Sequence, residues 1–162
     1  MNRRKTESDV LLPIIDESYE RQAWHGPNLK GSLRGVSIET AAWRPGAGRH
    51  NIWEIAVHAA YWKYIVRRRL LGEKKGSFPL EGSNWFKRPV EMTGNAWKKD
   101  RDLLNQMHRS LRRTIAGLSD TDLHTTPPGS KFSNIREIYG IAMHDVYHAG
   151  QIQLLKRLAN RR

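Results

Sequence analysis

Apolar residues recur with helical period in four segments of this chain, and no segment alternates in the way a half-buried strand does. That restricts the fold to helices burying their apolar stripes against one another. The first segment runs from about Asp9 to Trp24 and is stopped by Gly26-Pro27. The second opens at Asn51-Ile-Trp-Glu54, a capping side chain three residues before a Glu, and ends at Gly72, a residue suited to the turn that closes a helix. The third spans about Gly94 to Ala116. The fourth opens at Asn134-Ile-Arg-Glu137, repeating the capping pattern, and continues to about Asn160. The expected fold is all-α, an up-and-down four-helix bundle forming a single domain over residues 1–162. Two connecting loops, 27–50 and 73–93, are long for such a bundle. Their aromatics, Trp43, Phe78, Trp85 and Phe86, are expected to patch the core.

Composition narrows the setting. A chain of 162 residues is long enough to bury a core. No run approaches the roughly 18 apolar residues of a membrane span. The stretch Met1-Asn-Arg-Arg-Lys-Thr-Glu-Ser-Asp9 is charged and has no apolar region, so it does not read as a secretory signal. Cysteine is absent, which excludes disulfides, thiolate ligands and a Cys nucleophile and fits a cytoplasmic protein. The net charge of +12 raises nucleic acid, acidic membranes and anionic substrates as partners. Its basic groups are dispersed, however, over Arg67-Arg68-Arg69, Lys74-Lys75, Lys98-Lys99, Arg112-Arg113 and Arg161-Arg162. A solvated basic surface is the simpler reading.

Within the fourth segment, Ile141-Ala-Met-His-Asp-Val-Tyr-His-Ala-Gly-Gln-Ile152 places His144 and His148 four residues apart, on one helical face. Two imidazoles so spaced can share a metal ion, although the spacing alone serves ordinary core histidines as well. A catalytic site needs a third ligand. His25, His50 and His124 fall at helix ends or in loops, and His108 could face inward. His58 is the best candidate, because Ile55, His58, Trp62 and Ile65 follow the spacing of a buried stripe. Polar groups in such a stripe are costly unless paired, and a shared metal would pair them.

In an up-and-down bundle the second and fourth helices run the same way. His58 would then lie about 10 Å from its helix start, and His144 and His148 about 15 and 21 Å from theirs, a gap for tilt and stagger to close. The loops 27–50 and 117–133 would frame the pocket mouth, with 73–93 joining only by folding back. Gln151 could donate to a ligand or orient an imidazole, and Asp145 and Tyr147 flank the pair on other faces; ordinary packing accounts for all three equally well. No Glu stands beside the pair, which argues against a zinc peptidase. Three imidazoles suit Zn, Ni, Cu and Fe alike.

Several of these residues also match a known pattern. Asn51-Ile-Trp-Glu-Ile-Ala-Val-His58-Ala-Ala-Tyr-Trp62, the later His144-Asp-Val-Tyr-His148-Ala-Gly-Gln-Ile152, and the shorter Arg44-Pro45 and Ser133-Asn-Ile-Arg-Glu-Ile138 resemble the DinB-like family of bacterial four-helix proteins. The resemblance implies a bundle holding a divalent cation, zinc or nickel, on three histidines at the positions of His58, His144 and His148. It further implies a metal-dependent transferase that activates a low-molecular-weight thiol, or water. Lacking Cys, the chain would take that thiol as a small-molecule partner, and its basic surface suits an anionic one. The alternatives are a non-catalytic metal- or ligand-binding module and, last, a basic nucleic-acid-binding protein. Bundles of this sort also pair through a helix face, so a homodimer is expected.

Overall fold

The computed structural model describes residues 6–161. Met1 to Lys5, most of the stretch weighed against a secretory signal, and Arg162 of the last basic pair lie outside the described residues. Among those described, the chain is all-α: Ser8–Tyr19 (α1), Leu29–Ser32 (α2), Ile38–Ala42 (α3), Ile52–Leu70 (α4), Gly94–Ala116 (α5), Asp120–Leu123 (α6) and Asn134–Ala159 (α7), with no strand. None of these helices is long and apolar enough to cross a membrane.

Three short helices stand where only loops were expected. Each has a capping residue that claims a free backbone N–H: Asn28 accepts from Gly31, Ser37 from Thr40 and Ser119 from Asp122. The first long helix stops at Tyr19, short of Trp24: Glu20 leaves helical geometry with a φ of −139°, and beyond it the Asn28 amide donates to the Arg21 carbonyl at 2.6 Å. At α4 the expected capping box forms in full, with Asn51 accepting from the Glu54 N–H and the Glu54 carboxylate accepting from Asn51. Gly72 follows with a φ of +66°, the left-handed geometry expected of it. At α7 the box does not form. Ser133 is the cap residue, Asn134 donates instead to Asp122 and Thr125, and Glu137 is engaged by Arg69 and Ser130.

The long helices α1, α5, α4 and α7 pack successively side by side, with α7 returning to α1. Their directions differ from the up-and-down alternation expected. His58 meets His144, and further along α4 Arg69 meets Glu137, so α4 and α7 are antiparallel. Trp53 meets Asp100, and ten residues on Lys63 and His108 both lie against the Tyr19 ring, so α4 and α5 run parallel. Two consecutive parallel helices require a crossover, and residues 71–93 supply it. The length of that connection, with its aromatics Phe78, Trp85 and Phe86 against the core, follows from that requirement.

The interior has two apolar clusters. One gathers Trp53, Trp97, Leu104 and Ile152, and the other Ile15, Leu111, Ile115, Leu123 and Ile138. Each long helix also buries polar residues near the level where the two clusters meet, among them Asp16 and Ser18 on α1, Lys63 on α4, His108 on α5 and Asp145 on α7. Burying polar groups costs free energy unless they pair. Here Lys63 and Asp145 form an ion pair with both side chains almost wholly out of solvent.

Candidate metal centre

Antiparallel packing of α4 on α7 sets His58 opposite the His144/His148 pair. The Nε2 atom of His144 lies 3.1 Å from Nε2 of His58 and 3.0 Å from Nε2 of His148. One ligand atom from each of the three lies within 4.8 Å of the other two, and the group contains no carboxylate.

The outer nitrogens fix which way the lone pairs face. His58 Nδ1–H donates to the Asn84 carbonyl at 2.8 Å, and His148 Nδ1–H donates to Gln151 Oε1 at 2.7 Å. Both rings are therefore held with a bare Nε2 turned toward His144. A single His144 N–H can satisfy only one of them, and His144 Nδ1 is buried without a partner. Burial pushes the His58 ring down to about 4 and the His144 ring to about 3, and it lowers His148 as well. All three are neutral near pH 7, so their lone pairs are available. Three converging Nε2 atoms, two of them held bare, are a donor set that one divalent cation would satisfy. The two spacings from His144 are close to the roughly 3.3 Å between ligand atoms of tetrahedral zinc with bonds of about 2.0–2.1 Å. The residues fit such a cation.

The crossover after α4 completes this surrounding, contrary to the expectation that 27–50 and 117–133 would be the framing loops. Asn84 adopts a φ of +61°, rare for a residue other than glycine. That turn aims its carbonyl at His58, while its side chain accepts from the Trp62 indole N–H at 2.9 Å. The next residue, Trp85, lies flat between two imidazoles, 3.8 Å from His58 and 3.5 Å from His50 between ring centres. Of the loops expected to frame the mouth, 27–50 contributes His50 and Arg49 on one side, and 117–133 contributes Phe132 on the other.

Sequence reasoning did not single out Asn84, and it placed core patching ahead of a ligand-binding role for Trp85. The only signal available was an aromatic following Gly82-Ser-Asn in a long connection. Of the residues flanking the His pair, Gln151 orients an imidazole, one of the two roles considered for it. Asp145 turns into the core against Lys63, and Tyr147 is exposed with its hydroxyl accepting from Gln151.

His108 faces inward, as its helix position allowed, but lies away from the triad. It stacks on Tyr19 at 3.8 Å between ring centres and is fully buried; neither nitrogen is hydrogen-bonded, and the Glu20 carboxylate stands 4.0 Å from Nε2. Burial foremost, then the cations Lys63 and Arg112, drives its pKa far below the ordinary 6.5. A depressed folded value means that His108 stays neutral in the fold, while the unfolded chain takes up a proton below about pH 6.5. Stability present above that pH is therefore lost as pH falls. His108→Phe is expected to remove about 1.4 kcal/mol of that loss for each pH unit between about 6.5 and 4.5. Denaturant melts across that range measure it, and an unchanged pH slope in the variant would refute it.

A family model described as the DinB superfamily matches residues 23–152. No curated protein and no solved structure shows significant similarity to the chain.

Proposed function

Since the chain belongs to the DinB superfamily, we propose that His58, His144 and His148 hold one divalent cation, zinc or nickel, and that the protein is a metal-dependent transferase acting with a low-molecular-weight thiol. On this reading the whole chain is one domain, and its four long helices form a bundle around the cation. The observation that carries the proposal is the convergence of three neutral imidazoles whose outer nitrogens are anchored by Asn84 and Gln151.

A bound cation supplies positive charge that favours thiolate over thiol near neutral pH, as it does hydroxide over water. The protein's own residues do the rest. Asn84 and Gln151 hold two imidazoles in the tautomer that presents Nε2, and Trp85 and Trp62 shield the rings from solvent. With no Cys in the chain, the sulfur comes from a bound small molecule. In the transfer, that sulfur forms a bond to an electrophilic carbon while the leaving group departs with its electron pair, and the thiol proton passes to solvent.

The test uses metal-loaded protein with cysteine, glutathione and coenzyme A, each offered 1-chloro-2,4-dinitrobenzene as electrophile. At least one thiol is expected to react faster than its protein-free control, with the excess lost on chelation and restored by zinc or nickel. Rates equal to the protein-free controls for every thiol would leave a metal-binding module without this transferase activity.

A further inference from the structure

Two pockets each have one histidine of the triad in their wall, and their linings differ in chemistry. One, of about 400 Å³, has His144 in its wall beside Trp62, Phe132, Tyr139 and Ile141. Its cations are already engaged: Arg69 is held by Glu137 at 3.0 Å, and the Arg136 guanidinium lies 4.3 Å from the centre of the Phe132 ring. The other, of about 460 Å³, has His148 in its wall with Arg49, Tyr147 and Gln151, and no carboxylate lines it.

Arg49 is built into that second pocket. Its carbonyl accepts from Arg44 at 2.6 Å, and its N–H donates to the Gly46 carbonyl at 3.3 Å across a turn in which Gly48 has a φ of +69°. Arg44 is itself anchored on Glu54. The backbone of Arg49 is thus pinned, whereas its guanidinium makes no hydrogen bond or ion pair among the described residues. Across the pocket, Gln151 accepts from His148 and donates to the Tyr147 hydroxyl at 3.0 Å. Because that oxygen is the acceptor, its proton remains free to donate to a ligand. A cation carried on a pinned stretch of backbone and a free O–H, beside a candidate metal ligand, are the donors that a carboxylate requires.

We infer that the pocket at His148 is an anion-recognising subsite, which takes a carboxylate-bearing thiol through Arg49 and the Tyr147 hydroxyl and leaves the apolar pocket at His144 to the second reactant. The inference rests on the thiol reading above and adds the charge of the thiol and the residues that select it.

Cobalt(II)-loaded protein separates the two claims, because a thiolate bound to cobalt adds a charge-transfer absorption band. The probes are 3-mercaptopropionate and 3-mercapto-1-propanol, alike in length and differing in charge. Mercaptopropionate is expected to bind about fivefold more tightly, the scale of one solvent-screened ion pair. Arg49→Ala should abolish that preference while leaving mercaptopropanol binding unchanged, and Tyr147→Phe should narrow it. Lys74→Ala, which removes one positive charge outside both pockets, should preserve it. Equal affinities in the native protein, or a preference that survives Arg49→Ala, would overturn the subsite alone. Absence of the band with both probes would overturn the thiol reading and the subsite with it.

Discussion

Protein purified without an affinity tag is expected to carry about one divalent cation per chain by elemental analysis, and His58→Ala, His144→Ala and His148→Ala are each expected to lose it. His108→Ala should keep it, since His108 is buried against Tyr19, away from the triad. Outer partners of metal ligands contribute about 10- to 100-fold in affinity. Gln151→Ala should fall in that range, and loss of a ligand should exceed it. Thermal unfolding gives an independent reading. A cation present at about 100 times its dissociation constant adds about 2.7 kcal/mol of stability to a native state that binds it. The melting temperature should therefore rise with added zinc or nickel in the native sequence and stay flat in His144→Ala. Stoichiometric cation retained by His144→Ala would remove the triad from consideration.

Lys63→Met is expected to destabilise the fold by about 3–5 kcal/mol, because it leaves the buried Asp145 carboxylate without its partner. The Lys63 and Asp145 side chains are 0% and 1% exposed, so water cannot replace what is lost. Burial already pushes the Asp145 carboxyl up to about 6, even with the Lys63 ammonium against it. Lys63 also sits over the Tyr19 ring, with Nζ 4.9 Å from its centre, and methionine keeps only the apolar part of that contact. The double variant Lys63→Met/Asp145→Leu removes both charges together and should recover most of the loss, since well-packed apolar replacements of buried pairs are often neutral or stabilising. Urea denaturation of the single and double variants measures both terms. A single variant within about 1 kcal/mol of the native protein would show that the pair is not an obligatory contact. Asp145 adjoins His144 in sequence, so the metal affinity of the double variant also reports whether the pair helps hold α4 and α7 in register.

The helical class was readable because its signals are local. Period 3.6 appears in the spacing of apolar residues, and Asn51, Glu54 and Gly72 act within one turn of themselves. The same locality misled at Asn134 and Glu137. Their spacing matches a capping box, yet the Arg69 guanidinium from α4 and the Thr125 and Asp122 oxygens compete for those side chains, and none of these competitors is visible within the motif. The short helices α2, α3 and α6 have four or five residues each, too few to show a period, and rest on local capping side chains: one each at α2 and α3, and the reciprocal Ser119/Asp122 pair at α6.

The pairing of histidines on α7 and the inward stripe through His58 follow from the amino-acid order, because residues four apart share a helical face whatever surrounds them. Helix direction does not follow from it. Whether α4 lies parallel or antiparallel to α7 depends on which connection crosses over, and that choice is made by packing among segments far apart in the chain. It decides that residues 71–93 come back over the site, that Asn84 and Trp85 stand against His58, and that Lys63 rather than solvent answers Asp145. Periodicity records which way a side chain faces from its own helix. What it faces is set by burial and pairing across the whole core.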